Sequence, residues 1–218
     1  MNNSTAKLDH TSDEHLVTFM QTPLRSDAFE MEEELKVELI EKHFKQIMHI
    51  LGLDLNDDSL RNTPARVAKM YVKEVFSGLN PANKPSITLF ENKYQYGEML
   101  VEKDITLYTY CEHHFVPIIG KVHVGYISNG KVIGLSKINR LVQYYAKRPQ
   151  VQERFTVELA EGLKEALQSE DVAIFVDAVH LCVSSRGVTD TNSSTITTHY
   201  SGKFTDEKTK MEFLCTIR

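Results

Sequence analysis

Cys111 and His114 stand three positions apart in Tyr110-Cys111-Glu112-His113-His114. A C-x-x-H pair of this kind offers a thiolate and an imidazole to a transition metal. One pair does not complete a site, since structural zinc takes four protein ligands and usually shows two pairs. His180 and Cys182 alternate by two within an apolar strand pattern, so one sheet face is expected to carry both. Cys111, His114 and Cys182 then make a three-ligand set. Three ligands leave one corner of a tetrahedron for water, which is the catalytic arrangement. The spacing leaves open the alternative of buried thiols beside surface histidines. His113 is an imidazole next to this set and His180 a second, and both suit proton transfer near neutral pH. On an extended backbone His113 and His114 cannot both face one metal. His123 and His199 fall on strand patterns and read as structural, and Cys215 as a core or surface thiol.

Anion-binding chemistry is the second theme. Arg66, Lys69, Lys137, Arg140, Lys147, Arg148, Arg154 and Arg186 lie near predicted helix starts and strand ends. Ser136-Lys137 opens a helix, where free N–H groups and the dipole favour anions. Arginine adds bidentate phosphate contacts and lysine a point charge. A solvated charged face is the alternative for each. There is no P-loop and no G-x-G-x-x-G, so neither motif holds a nucleotide here. Glu153 lies just inside a helix start, where a carboxylate can accept the two N–H donors of a guanine edge or simply favour the dipole.

These groups need elements to position them. Leu35, Leu39, Phe44, Ile47, Met48 and Leu51 recur near helical spacing before Gly52, which predicts a helix over 31–51. Thr63, Pro64 and Gly78 punctuate a second helix over 63–78. Residues 79–97 read as a connection. From 98 the hydrophobic period becomes two, giving a strand into Cys111, a second over 120–127 and a return over 131–135. Asn129-Gly130 between the last two is a strong hairpin signal. Helices are expected after Ser136 and over 150–167, then an apolar strand over 172–183 and a Thr-rich strand over 191–204. The order predicts an α+β chain with an antiparallel sheet rather than alternating βαβ units. Three regions follow: a flexible N-terminal arm over 1–29, a helical region over 30–97 and a catalytic domain over 98–218.

Composition sets the boundaries. The 218 residues are 41% hydrophobic and 25% charged, which is ordinary globular usage. A chain of this size buries roughly 70% of its surface without staples. A net charge of -5 argues against a nucleic-acid partner. No apolar run spans a bilayer and no secretory signal opens the chain, so no membrane association is expected and the cytoplasm is the default location. Three cysteines are too few for a disulfide framework.

From about Glu32 to Arg218 the chain resembles the GTP cyclohydrolase I family. The segments that carry the likeness are YCEHHFVP at 110–117, GLSKINR at 134–140, RPQVQER at 148–154, HLC at 180–182 and SRGV at 185–188. The resemblance implies the tunnelling fold: an antiparallel sheet with helices on one face and an N-terminal helical extension. Subunits close a shared β-barrel, and two pentamers stack into a homodecamer with active sites where subunits meet. It also implies zinc-dependent hydrolysis and rearrangement of GTP to 7,8-dihydroneopterin triphosphate, with release of formate. That reaction opens folate- and biopterin-type biosynthesis. Under this likeness Cys111, His114 and Cys182 hold Zn2+, and His113 and His180 transfer protons. Glu153 anchors guanine with Gln152 beside it. Arg66, Lys69, Lys137, Arg140 and Arg186 cradle the triphosphate, with Ser136 at its ribose or phosphate side.

Overall fold

The structure, a computed structural model, describes residues 22–218. The arm expected over 1–29 therefore lies, for residues 1–21, outside the described residues. From Thr22 the chain is seated: its N–H donates to Glu158 Oε1 at 3.1 Å. Helix α1 (Glu33–Ile50) starts with Glu33 and Glu34 in its first turn, where the dipole favours them. Helix α2 (Thr63–Lys69) carries Pro64 at its start. It was expected to run on to Gly78. It widens instead into a π-helical stretch, Met70–Val75, and ends in a 3-10 turn, Ser77–Leu79. The fit to the rest of the molecule explains the change. Gly78 N–H bonds Lys147 O at 2.9 Å, and a side chain at Gly78 has no room beside Tyr144 O.

The remaining elements are β1 (Leu89–Glu91), β2 (Met99–Cys111), β3 (Pro117–Ile127), β4 (Lys131–Ile133), α3 (Leu135–Ala146), β5 (Pro149–Gln150), α4 (Gln152–Leu167), β6 (Val172–His180), α5 (Leu181–Ser184), β7 (Thr195–Tyr200) and α6 (Glu207–Ile217). The main sheet runs β5-β2-β3-β6-β7 and is antiparallel except for the short β2–β5 pair. Helices α3 and α4 cover the face that carries Ile105, Leu107, Ile118, Val122 and Val176. These residues are buried with Ile138, Leu141, Phe155, Leu159 and Leu163 from the helices. This is the α+β architecture read from the sequence.

Three local expectations are corrected. The predicted hairpin does not form a β3–β4 pair. Gly130 does adopt the positive φ of a turn, at 79°, but β3 already has β2 and β6 on its two edges. With no edge free, β4 pairs with β1 in a separate two-stranded sheet. The apolar strand stops at His180, three residues short, because Leu181–Ser184 turns helical. The Thr-rich strand is shorter than expected at both ends.

Helix α6 was not anticipated. Asp206 caps it by accepting from Thr209 N. Phe213 and Phe204 pack edge to face, with ring centroids 5.9 Å apart. They cover the opposite sheet face around Ile127 and Ala173. Gly125 is required beneath them, since a Cβ there would lie 2.8 Å from the Phe213 ring.

Candidate active site

The C-terminal end of β2 and the end of β6 meet on the helix-covered face. Thr109 pairs with Ile118, and Ile118 with His180, so Cys111, two residues past Thr109, shares that face with His180. The segment after Cys111 is a tight turn rather than extended chain. Phe115 N–H returns to Cys111 O at 2.8 Å and Cys111 N–H to Val116 O at 2.9 Å, with Phe115 in the left-handed region at φ 53°. The Phe115 ring is held by Tyr71 and Phe76, with centroids 6.1 and 5.0 Å away.

The turn removes the condition, an extended backbone, under which His113 and His114 could not both face one metal. His113 Nδ1 lies 3.7 Å and His114 Nδ1 3.9 Å from Cys111 Sγ. Cys182 arrives from α5, not from the strand. Helical geometry brings it in where the strand would have ended, so the shared-face argument for His180 and Cys182 fails although both reach this end of the sheet. One ligand atom each from Cys111, His114 and Cys182 lies within 4.8 Å of the others.

The donor set suits a metal. A tetrahedral zinc with Zn–S bonds of about 2.3 Å holds two sulfurs about 3.8 Å apart, and two thiols with one imidazole are soft to borderline ligands. Burial, and then the hydrogen bond with Cys111, pushes the Cys182 thiol above its ordinary value. A cation drives both thiols to thiolate, so metal binding releases protons.

The turn is braced from α4. Arg154 grips Glu112 Oε2 through two nitrogens, at 2.8 and 2.7 Å, with the arginine side chain only 6% exposed. Glu112 N–H adds a bond to Gln150 O at 3.1 Å. Sequence reasoning missed this brace and grouped Arg154 with the phosphate cations. No periodicity links positions 112 and 154. Arg148 is also committed to structure: it bonds Gly78 O at 2.9 Å and pairs with buried Glu158. Its guanidinium lies 4.8 and 4.9 Å from the Tyr144 and Tyr145 ring centroids.

His180 Nε2 lies 2.7 Å from Gln152 Oε1. Burial lowers the His180 pKa from its ordinary value, and the charge of Glu153 works against that shift. Glu153 is exposed in the first turn of α4, within electrostatic reach of His180.

The expected phosphate cations stand on several different elements. Arg186 reaches the Cys-His-Cys group, with a guanidinium nitrogen 3.2 Å from His114 Nε2. Arg140 lines a separate cleft of about 470 Å³ with Asn139, Gln143 and Lys147, and none of Cys111, His114 or Cys182 lines that cleft. Ser136 and Lys137 sit in the first turn of α3, and Arg66 and Lys69 on α2. His123 is structural as expected: its Nδ1 accepts Asp104 N–H at 3.3 Å, at a bulge where Asp104 has φ 60°.

A Cys-His-Cys group with further histidines beside it, at the end of an antiparallel sheet, suits a metal-dependent enzyme. The comparisons make the class particular. Residues 40–218 match the family model of GTP cyclohydrolase I. The GTP cyclohydrolase 1 of Flavobacterium johnsoniae is 57% identical over 211 residues, covering 97% of this chain and 95% of that one. Its counterpart from Erwinia tasmaniensis is 52% identical over 200 residues, covering 91% and 90%. The chain belongs to the GTP cyclohydrolase I family, whose fold is the tunnelling fold. Among solved structures, an archaeosine synthase QueF-Like in its apo form aligns with 48% of this chain and 93% of its own, at 20% identity and a TM-score of 0.41. Among the described residues no helix is long and apolar enough to cross a membrane.

Proposed function

We propose that this chain performs its family's conversion of GTP to dihydroneopterin triphosphate with zinc held by Cys111, His114 and Cys182. The observation that carries the metal reading is the convergence of those three ligand atoms within 4.8 Å, from β2, its turn and α5. When bound, zinc supplies a water nucleophile near neutral pH, where bulk water is a poor one.

The protein's own groups do the rest. Hydrolysis at C8 of the purine needs a proton at N7 to make C8 electrophilic. His113 and His180 flank the pocket to give and take protons through ring opening, formate release, and rearrangement and closure of the ribose carbons. Each such transfer contributes about 10²–10⁴-fold. Glu153 accepts from the guanine N1–H and exocyclic amine. Arg66, Lys69, Lys137, Arg140 and Arg186 hold the triphosphate, with Ser136 beside the ribose or phosphates. These local cations let a chain of net charge -5 bind a polyanion.

The cleft that Arg140 lines, apart from the Cys-His-Cys group, supports an active site shared between copies. β7 has no strand on its outer side among the described residues, and β5 covers only Tyr110 and Cys111 of the long β2 edge. Joining β7 of one copy to β2 of the next closes both edges into a common barrel. A dimer of pentamers is the assembly this predicts. Residues 98–218 form the catalytic domain, with 30–97 its helical extension. A reducing cytoplasm suits a site that depends on two thiols.

Incubation with GTP tests the function: formate and the pterin absorbance band should appear and vanish together on verified zinc removal. Turnover by the metal-free protein would refute the metal role, and GTP binding without formate would mark a binding module.

A further inference from the structure

Gln152 is buried at the start of α4, and both ends of its amide are engaged by the protein. Nε2 lies 2.8 Å from Thr195 O, 3.1 Å from Thr197 Oγ1 and 3.4 Å from Val176 O. Carbonyl oxygens only accept, so the amide atom facing Thr195 and Val176 is the nitrogen. The neighbouring hydroxyls agree. Thr156 Oγ1 gives its proton to Gln152 O at 2.9 Å and sits 2.7 Å from Thr197 Oγ1. Thr197 therefore donates to Thr156 and is left to accept from Gln152. The other end of the amide is then the oxygen, 2.7 Å from His180 Nε2. An amide oxygen has no proton to give, so His180 Nε2 carries one and Nδ1 keeps the lone pair.

We propose that Gln152 is a positioning residue for His180, holding it as the Nε2–H tautomer so that protons exchanged with the substrate pass through Nδ1. The proposal rests on the reading of His180 as a proton-transfer group, and it moves Gln152 out of the guanine-binding set. The network ties the histidine to three elements at once, because α4 supplies the amide while β6 and β7 hold its nitrogen. A histidine acting in proton transfer needs such a partner, since the wrong tautomer offers an N–H where a lone pair is required.

Steady-state kinetics with GTP separate the two roles. Gln152→Met should lower kcat about 10–100-fold, the usual cost of losing such an orienting partner, with KM changed by less than about threefold. A raised KM at unchanged kcat would put the amide on the substrate and overturn the proposal, as would no change in either constant. A second measurement needs no Gln152 variant. Imidazole 15N spectra of the wild-type holoenzyme, with His180 assigned by its loss in His180→Asn, should show Nε2 protonated and Nδ1 bare. The reverse tautomer overturns the proposal. Wild-type turnover by His180→Asn would instead refute the underlying catalytic reading, and with it the Nδ1 route, while leaving the tautomer result intact.

Discussion

At the residue scale, the proposed metal site includes a thiol, Cys182, that must ionise where burial opposes it. Burial and the hydrogen bond with Cys111 raise the Cys182 pKa, so its thiolate is disfavoured until a cation arrives, and removing either sulfur removes a ligand the metal needs. Cys111→Ser and Cys182→Ser should each lose the bound metal, measured by atomic absorption, and more than about 100-fold of formate release. Cys215, exposed on α6, is the internal control: Cys215→Ser should leave metal content and rate within about twofold. Much of this was legible in the sequence, because ligand type and C-x-x-H spacing are local properties. The bracing of Glu112 by Arg154 and of His180 by Gln152 was not. Such partners are matched across the sheet, and their residue types are also those of an ordinary charged or polar surface.

Elements deliver these residues, and two of them carry measurable consequences. Helix α4 grips the metal turn through the Arg154–Glu112 fork. Arg154→Met leaves Glu112 without its partner and should cost about 3 kcal/mol, toward the low end for a broken buried pair because Glu112 keeps some solvent. Denaturant unfolding measures the loss, and metal affinity should fall with it. The histidines on β3 and β7 offer a pH test. Burial lowers the His123 and His199 pKa values from their ordinary range, so these rings are neutral in the fold and gain protons more readily when unfolded. Their contribution to stability is present above the unfolded histidine pKa of about 6.5 and is lost as pH falls through that value toward the depressed native ones. The thermal midpoint should drop between pH 7.5 and pH 5, and His123→Gln, which keeps an acceptor for Asp104, should flatten that drop. Element types were readable from periodicity; their ends and partners were not. The Asn129-Gly130 turn forms, yet β4 joins β1 because β3 had no edge to offer. Helix α2 gives way to π geometry and then, where the end of α3 closes on Gly78, to a 3-10 turn.

At the scale of the whole molecule, the single chain places Arg140 and the Cys-His-Cys group in different regions, while the chemistry needs phosphate cations near the metal. The proposed sharing between copies reconciles the two. Sedimentation should give a mass of ten 24.9 kDa chains. Cys111→Ser and Arg140→Ala, each inactive alone, should restore part of the GTP turnover when dissociated, mixed and reassembled. Mixtures that stay inactive while exchange is verified by mass would place the whole site within one copy. The amino-acid sequence by itself determined the α+β class and the family, and it named the ligand set and acid–base histidines proposed here. The class rests on short-range periodicity, where one backbone geometry fixes which side chains are neighbours; the family rests on several short motifs in order. Only the tertiary structure decided that Cys182 arrives on a helical turn, that His113 and His114 both face Cys111, that Arg148 and Arg154 serve the fold, and that α6 covers the second sheet face. Those outcomes depend on which distant groups compete for the same edge, cavity or charge, and that competition is settled by packing in three dimensions.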